Sequence, residues 1–100
     1  MIKTSELNKT MKRAARLART QGYKIENNYY PFNGRILGYQ IKHNKIILDI
    51  FLHDPGAWED REIFHGNEIR KWHITEEDTE LSTCHLKDRL ESFLGRFQND

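Results

Sequence analysis

Early in the chain the apolar positions Leu7, Met11, Ala14 and Ala18 step by four, three and four, and Gly22 follows them. Such steps gather side chains on one side of an α-helix, and a glycine just past the last of them ends it. With Ser5 placed to cap the start, the pattern predicts a helix over about 6–21. From Tyr23 the period falls to two. Tyr23, Ile25, Asn27 and Tyr29 alternate with Lys24, Glu26 and Asn28, as on a half-buried strand, until Pro31 and Asn33-Gly34 interrupt. Leu37, Tyr39 and Ile41 then share a face of a second strand, and Ile46, Leu48, Ile50 and Leu52 a face of a third, with His43-Asn44 as the tight turn between them.

Asp54-Pro55-Gly56 closes this hairpin, and two shorter strands follow over about 61–65 and 68–74, joined at Gly66-Asn67. Thr75 with Asp78 matches a capping box that opens a single helical turn, with a break near Ser82. Leu86, Leu90, Phe93, Leu94 and Phe97 then recur at helical spacing and predict a closing amphipathic helix. The reading is a single α+β domain over 1–100, of order α-β-β-β-(β-β)-α. A short antiparallel sheet of three to five strands would carry both terminal helices in a single layer on one face. The expected core joins Leu7, Met11, Leu17, Leu86, Leu90, Phe93 and Phe97 of the helices to Ile25, Tyr39, Ile41, Ile46, Leu48, Ile50 and Leu52 of the sheet.

Composition supports a globular chain, with 37% hydrophobic and 31% charged residues. Neither a run of about 18 apolar residues nor a signal-peptide core is present, so no membrane insertion is expected and the expected address is the cytoplasm. The lone Cys84 cannot make an internal disulfide, which fits a reducing compartment.

Net charge is only +1, yet its distribution is uneven. Residues 1–24 hold seven cations against Glu6 and net +6, whereas residues 54–100 hold six cations against twelve acids and net −6. Within the first helix Lys9, Lys12, Arg13, Arg16 and Arg19 fall in an arc about 120° wide, opposite the apolar stripe. Cations so spaced can meet successive phosphates of a nucleic-acid backbone. The aromatic segment Tyr29-Tyr30-Pro31-Phe32 can stack on unpaired bases or anchor a protein. These features make the leading expectation a small non-enzymatic binding protein that engages RNA, DNA or an acidic protein surface. Its binding residues would be Lys9, Lys12, Arg13, Arg16, Arg19, Tyr29, Tyr30 and Phe32. The alternative is a protein-interaction module such as an inhibitor, immunity protein or small regulator, associating with itself or with another protein.

Catalytic patterns are thinner. The five histidines, at 43, 53, 65, 73 and 85, lack the spacing of a local metal motif, and Cys84 and His85 are helix neighbours that diverge by about 100°. Neither metal nor cofactor is expected. Glu6 on the first helix, Asp49 in the hairpin and Glu68-Ile69-Arg70-Lys71 on a later strand resemble the restriction-endonuclease-like superfamily in their order. That resemblance implies carboxylates holding Mg²⁺ and a cation steadying the attacked phosphate. It departs from the family in placing Arg70 where a lysine is usual, and a metal-dependent nuclease ranks below the two binding readings. The order helix, three strands, helix is also similar to that of double-stranded-RNA-binding domains and HicA-type toxins, the latter sharing an exit like Gln21-Gly22-Tyr23. Thr83-Cys84-His85 stands where the former open their last helix with a basic run, so only the fold order is implied.

Overall fold

The computed structural model describes residues 3–29, 38–52 and 66–95. In chain order these form α1 (Thr4–Thr20), β1 (Lys24–Tyr29), β2 (Gly38–His43), β3 (Ile46–Phe51), β4 (Glu68–His73), a single turn α2 (Glu76–Thr79) and α3 (Thr83–Leu94). The strands make one four-stranded sheet in the order β1-β2-β3-β4. The fold is α+β, with an N-terminal helix, a mixed sheet and a C-terminal helix.

Local chemistry explains most boundaries. α1 begins two residues before the predicted start, with Lys3 as its N-cap and no capping side chain. At its other end Tyr23 N–H donates to Ala18 O at 2.9 Å and Gly22 N–H to Arg19 O at 3.0 Å, the paired bonds of a Schellman stop. The motif needs a left-handed residue, and Gly22 supplies it at φ +87°. In the β2–β3 hairpin His43 pairs with Ile46, so the turn is Asn44-Lys45, one residue later than the sequence suggested, with Asn44 at φ +55°. β1 carries a bulge between Ile25 and Asn27. α2 opens with the capping box of Thr75 and Asp78, and α3 is capped by Ser82, whose hydroxyl accepts from His85 N–H at 3.3 Å. Gly95, left-handed at φ +72°, ends α3.

One expectation is overturned. β4 lies beside β3 in parallel, pairing Ile46 with Glu68 through Phe51 with His73, so the sheet is mixed rather than antiparallel throughout. A period of two reads the same in either direction along a strand. The direction follows from the connection, and residues 52–67 are long enough for the crossover that parallel neighbours require. The parallel fourth strand also departs from the helix, three strands, helix order. The proposed strand over 61–65, Leu37 and Phe97 lie outside the described residues.

The core forms between the helices and one sheet face. Met11, Ala14, Ala15 and Ala18 of α1 and Leu86, Leu90 and Leu94 of α3 pack with Tyr39, Ile41, Leu48, Ile50 and Trp72. Full burial of each leucine stabilises the fold by about 1.5–3 kcal/mol. Alanines on α1 let that helix sit close to its neighbours. Leu7, Leu17, Ile25, Ile46 and Phe93 pack at the margin of this cluster. The opposite face is buried as well at Gln40, Ile47, Asp49 and Phe51, the first and third of which are polar.

Candidate functional site

The face of α1 turned away from the core is basic. Lys9, Lys12, Arg16 and Arg19 are exposed, and at 100° per residue they fall within an arc of about 80°. None of the four makes an ion pair or side-chain hydrogen bond among the described residues. Arg13 differs. It lies at the edge of the arc nearest α2, is half-buried, and donates from Nη2 to Leu81 O at 3.4 Å.

α2 packs against α1 and brings acids beside this face. Glu76, Glu77 and Glu80 are exposed and form no ion pair with an α1 cation among the described residues. Asp78, 1% exposed, is fully engaged elsewhere. Its carboxylate accepts from Arg89 Nη1 at 2.9 Å, from Thr75 N–H at 2.9 Å, from the Thr75 hydroxyl at 3.2 Å and from Trp72 Nε1 at 3.3 Å. The acidic segment therefore spends its buried member on α3 and β4 and leaves the α1 cations unmatched. Between α1 and α2 lies an open cleft of ≈ 290 Å³ lined by Glu6, Lys9, Thr10, Arg13 and Thr79. Both threonine hydroxyls donate within their own helices, Thr10 to Glu6 O at 3.1 Å and Thr79 to Glu76 O at 2.6 Å. The Glu6 carboxylate stands among the two cations, so the cleft is mixed in charge, and its lining offers no nucleophile paired with a base.

The predicted aromatic contribution cannot be placed on this surface. Tyr29 ends β1 opposite Gly38, and its side chain, with Tyr30 and Phe32, lies outside the described residues.

The carboxylates that suggested a nuclease are not brought together. Asp49 pairs across the sheet with Lys71 and Gln40, on the face away from the helices, and accepts from Gln40 Nε2 at 3.3 Å. Glu68 pairs with Ile46 and so lies on the helix-bearing face. There it meets Arg70 Nε at 2.8 Å, and this hydrogen bond, together with the guanidinium's charge, holds the Glu68 carboxyl below the usual carboxylate range. Arg70 also donates to Phe93 O, tying β4 to α3. The histidines that are described stand apart. His43 meets Tyr23 edge-on at 4.8 Å, His73 stacks on Phe51 at 5.3 Å, and His85 Nδ1 lies 3.2 Å from the Ser82 hydroxyl. Among the described residues no three His, Cys, Asp or Glu side chains gather to hold a metal ion, and no helix is long and apolar enough to cross a membrane.

The sequence missed the Asp78 node. The capping box signalled Thr75 and Asp78, whereas Trp72 and Arg89 join only through the packing of β4 and α3 on α2. Compared with protein-family models, with curated proteins and with solved structures, the chain gives no match.

Proposed function

We propose that this protein is a non-enzymatic binding protein that engages an anionic partner, RNA, DNA or an acidic protein surface, through the outer face of α1. The observation that carries the reading is the exposed and unpaired state of Lys9, Lys12, Arg16 and Arg19 beside three acids that do not neutralise them. Lys12 and Arg16 stand one turn apart, and like charges at that spacing weaken a helix by a few tenths of a kcal/mol. Among the described residues, nothing that packs on α1 calls for them. The exposed Cys84 fits action in a reducing compartment such as the cytoplasm.

The test is the charge reversal of Lys12→Glu with Arg16→Glu, read by fluorescence anisotropy on labelled nucleic acids and on polyglutamate. Binding that survives the reversal with its salt dependence intact removes the reading. A second reading has its own observation: Glu76, Glu77 and Glu80 are exposed beside the basic face, which suits head-to-tail self-association. The triple change of these glutamates to glutamine separates the two. It abolishes a salt-sensitive dimer in light scattering, but tightens binding to a separate polyanion.

A further inference from the structure

We infer that the partner of this face is double-stranded DNA, held along its phosphate backbone without readout of sequence. The inference rests on the basic-face reading above and narrows it to one partner. From Lys9 to Arg19 the stripe runs about 15 Å along a rigid helix. Over that length of its axis a B-form duplex carries about nine phosphates on its two strands, enough to give each of the four unpaired cations an acceptor. A regular row of charges on a fixed rod is complementary to a stiff, regularly charged duplex.

The chemistry of the stripe favours duplex DNA over the other nucleic acids. A single strand is gripped by aromatic side chains on which bases stack. The exposed arc of α1 carries none. Duplex RNA is distinguished through its 2′-hydroxyls, which call for hydroxyl or amide partners. Between Lys9 and Arg19 the 80° arc holds only lysine and arginine. The absence of amides there also removes the usual partners of adenine edges. A stripe of cations alone is suited first to phosphates, and contact with phosphates orients a protein on DNA but reads no sequence.

The acids of α2 set the direction of approach. Glu76, Glu77 and Glu80 flank the Arg13 edge of α1 and repel a polyanion there, so the duplex lies toward the Lys12 and Arg19 edge. Arg13, tethered to Leu81 O, stays out of the contact.

The test uses the full chain with labelled 20-base-pair DNA duplexes, one A·T-rich and one G·C-rich, a single-stranded 20-mer, a 20-base-pair RNA duplex and polyglutamate. Four neutralised phosphates predict a slope of about −3.6 in log affinity against log salt on duplex DNA, a loss of roughly 150-fold between 50 and 200 mM. In the Lys12→Ala/Arg16→Ala variant, checked for an unchanged far-ultraviolet dichroism spectrum, the slope falls to about −1.8 and the loss to about 12-fold. Arg13→Ala leaves the slope unchanged. The two DNA sequences bind within about threefold of each other, and both bind more tightly than every other probe.

Tighter binding to the single strand, the RNA duplex or polyglutamate, or a tenfold preference between the two DNA sequences, overturns this inference. If such binding still weakens in the Lys12/Arg16 variant, the basic-face reading stands without it. If the variant binds every probe as the wild type does, or the wild type binds none, both readings fall.

Discussion

Charge is handled in opposite ways at Asp78 and on the outer face of α1. Asp78 is buried, and its carboxylate is surrounded by Trp72, Thr75 and Arg89, which come from β4, the turn before α2 and α3. On α1, four cations of one sign share a face with no ion-pair partner among the described residues, although three glutamates stand exposed on the neighbouring turn. A buried charge must be matched within the fold because desolvation is otherwise unpaid. An exposed row is under no such demand, and its composition is free to answer to a partner. The contrast separates residues that hold the molecule together from residues that remain available to it.

Breaking the first region gives the largest effect. Asp78→Ala strands the buried Trp72 indole N–H and the Thr75 amide, and is expected to lower the free energy of unfolding by about 3 kcal/mol in urea titrations. DNA affinity, measured where the variant is still folded, stays at the wild-type value. Ser82→Ala removes the N-cap of α3 and costs about 1 kcal/mol in the same measurement. Arg89→Ala is expected to cost less than Asp78→Ala, because the Arg89 side chain is 40% exposed and Asp78 keeps its hydrogen bonds from Trp72 and Thr75 when the guanidinium is gone. An Arg89 effect as large as that of Asp78 would mean that the ion pair, rather than the hydrogen-bonded cap, holds the node.

Sharpening the second region calls for smaller changes. The change of Glu76, Glu77 and Glu80 to glutamine tightens duplex binding a few-fold at 50 mM salt, and the gain disappears as salt rises and the screening length shrinks. The smallest effect concerns Glu68, whose carboxyl is held below the usual range by Arg70. A depressed carboxylate stabilises the fold above its unfolded pKa and loses that contribution as pH falls through the folded value. Wild type and Glu68→Gln therefore differ in urea midpoint at neutral pH and converge as the solution is acidified below the carboxylate range.

Much of this arrangement is legible in the sequence where the cause is local. The Leu7, Met11, Ala14, Ala18 stripe, the capping box at Thr75 and Asp78, the break at Ser82 and the β2–β3 hairpin all follow from neighbours within a few residues. What the sequence could not convey depends on strands that meet from afar. The alternation of Glu68 to His73 marks a strand but not its direction, so the parallel pairing with β3 was missed. That pairing puts Asp49 and Glu68 on opposite faces and dissolves a carboxylate pair that looks plausible along the chain. The expected core lacks Trp72 and Phe51 for the same reason: whether they are buried depends on which elements cover their faces. The basic arc is visible in the sequence, whereas its lack of partners is visible only once α2 is seen to pack beside it.

The central claim, that the outer face of α1 serves a partner and not the fold, is tested most directly by measuring stability and affinity on the same Lys12→Glu/Arg16→Glu protein. Reversing both charges keeps one like-charge pair at 12 and 16 but sets the new glutamates three residues from Lys9, Arg13 and Arg19, and should leave the unfolding free energy within about 0.5 kcal/mol of wild type, or slightly higher. Duplex affinity at 50 mM salt should meanwhile fall below detection. A variant that unfolds readily yet binds DNA with wild-type affinity would contradict the account, since it would make these cations part of the scaffold.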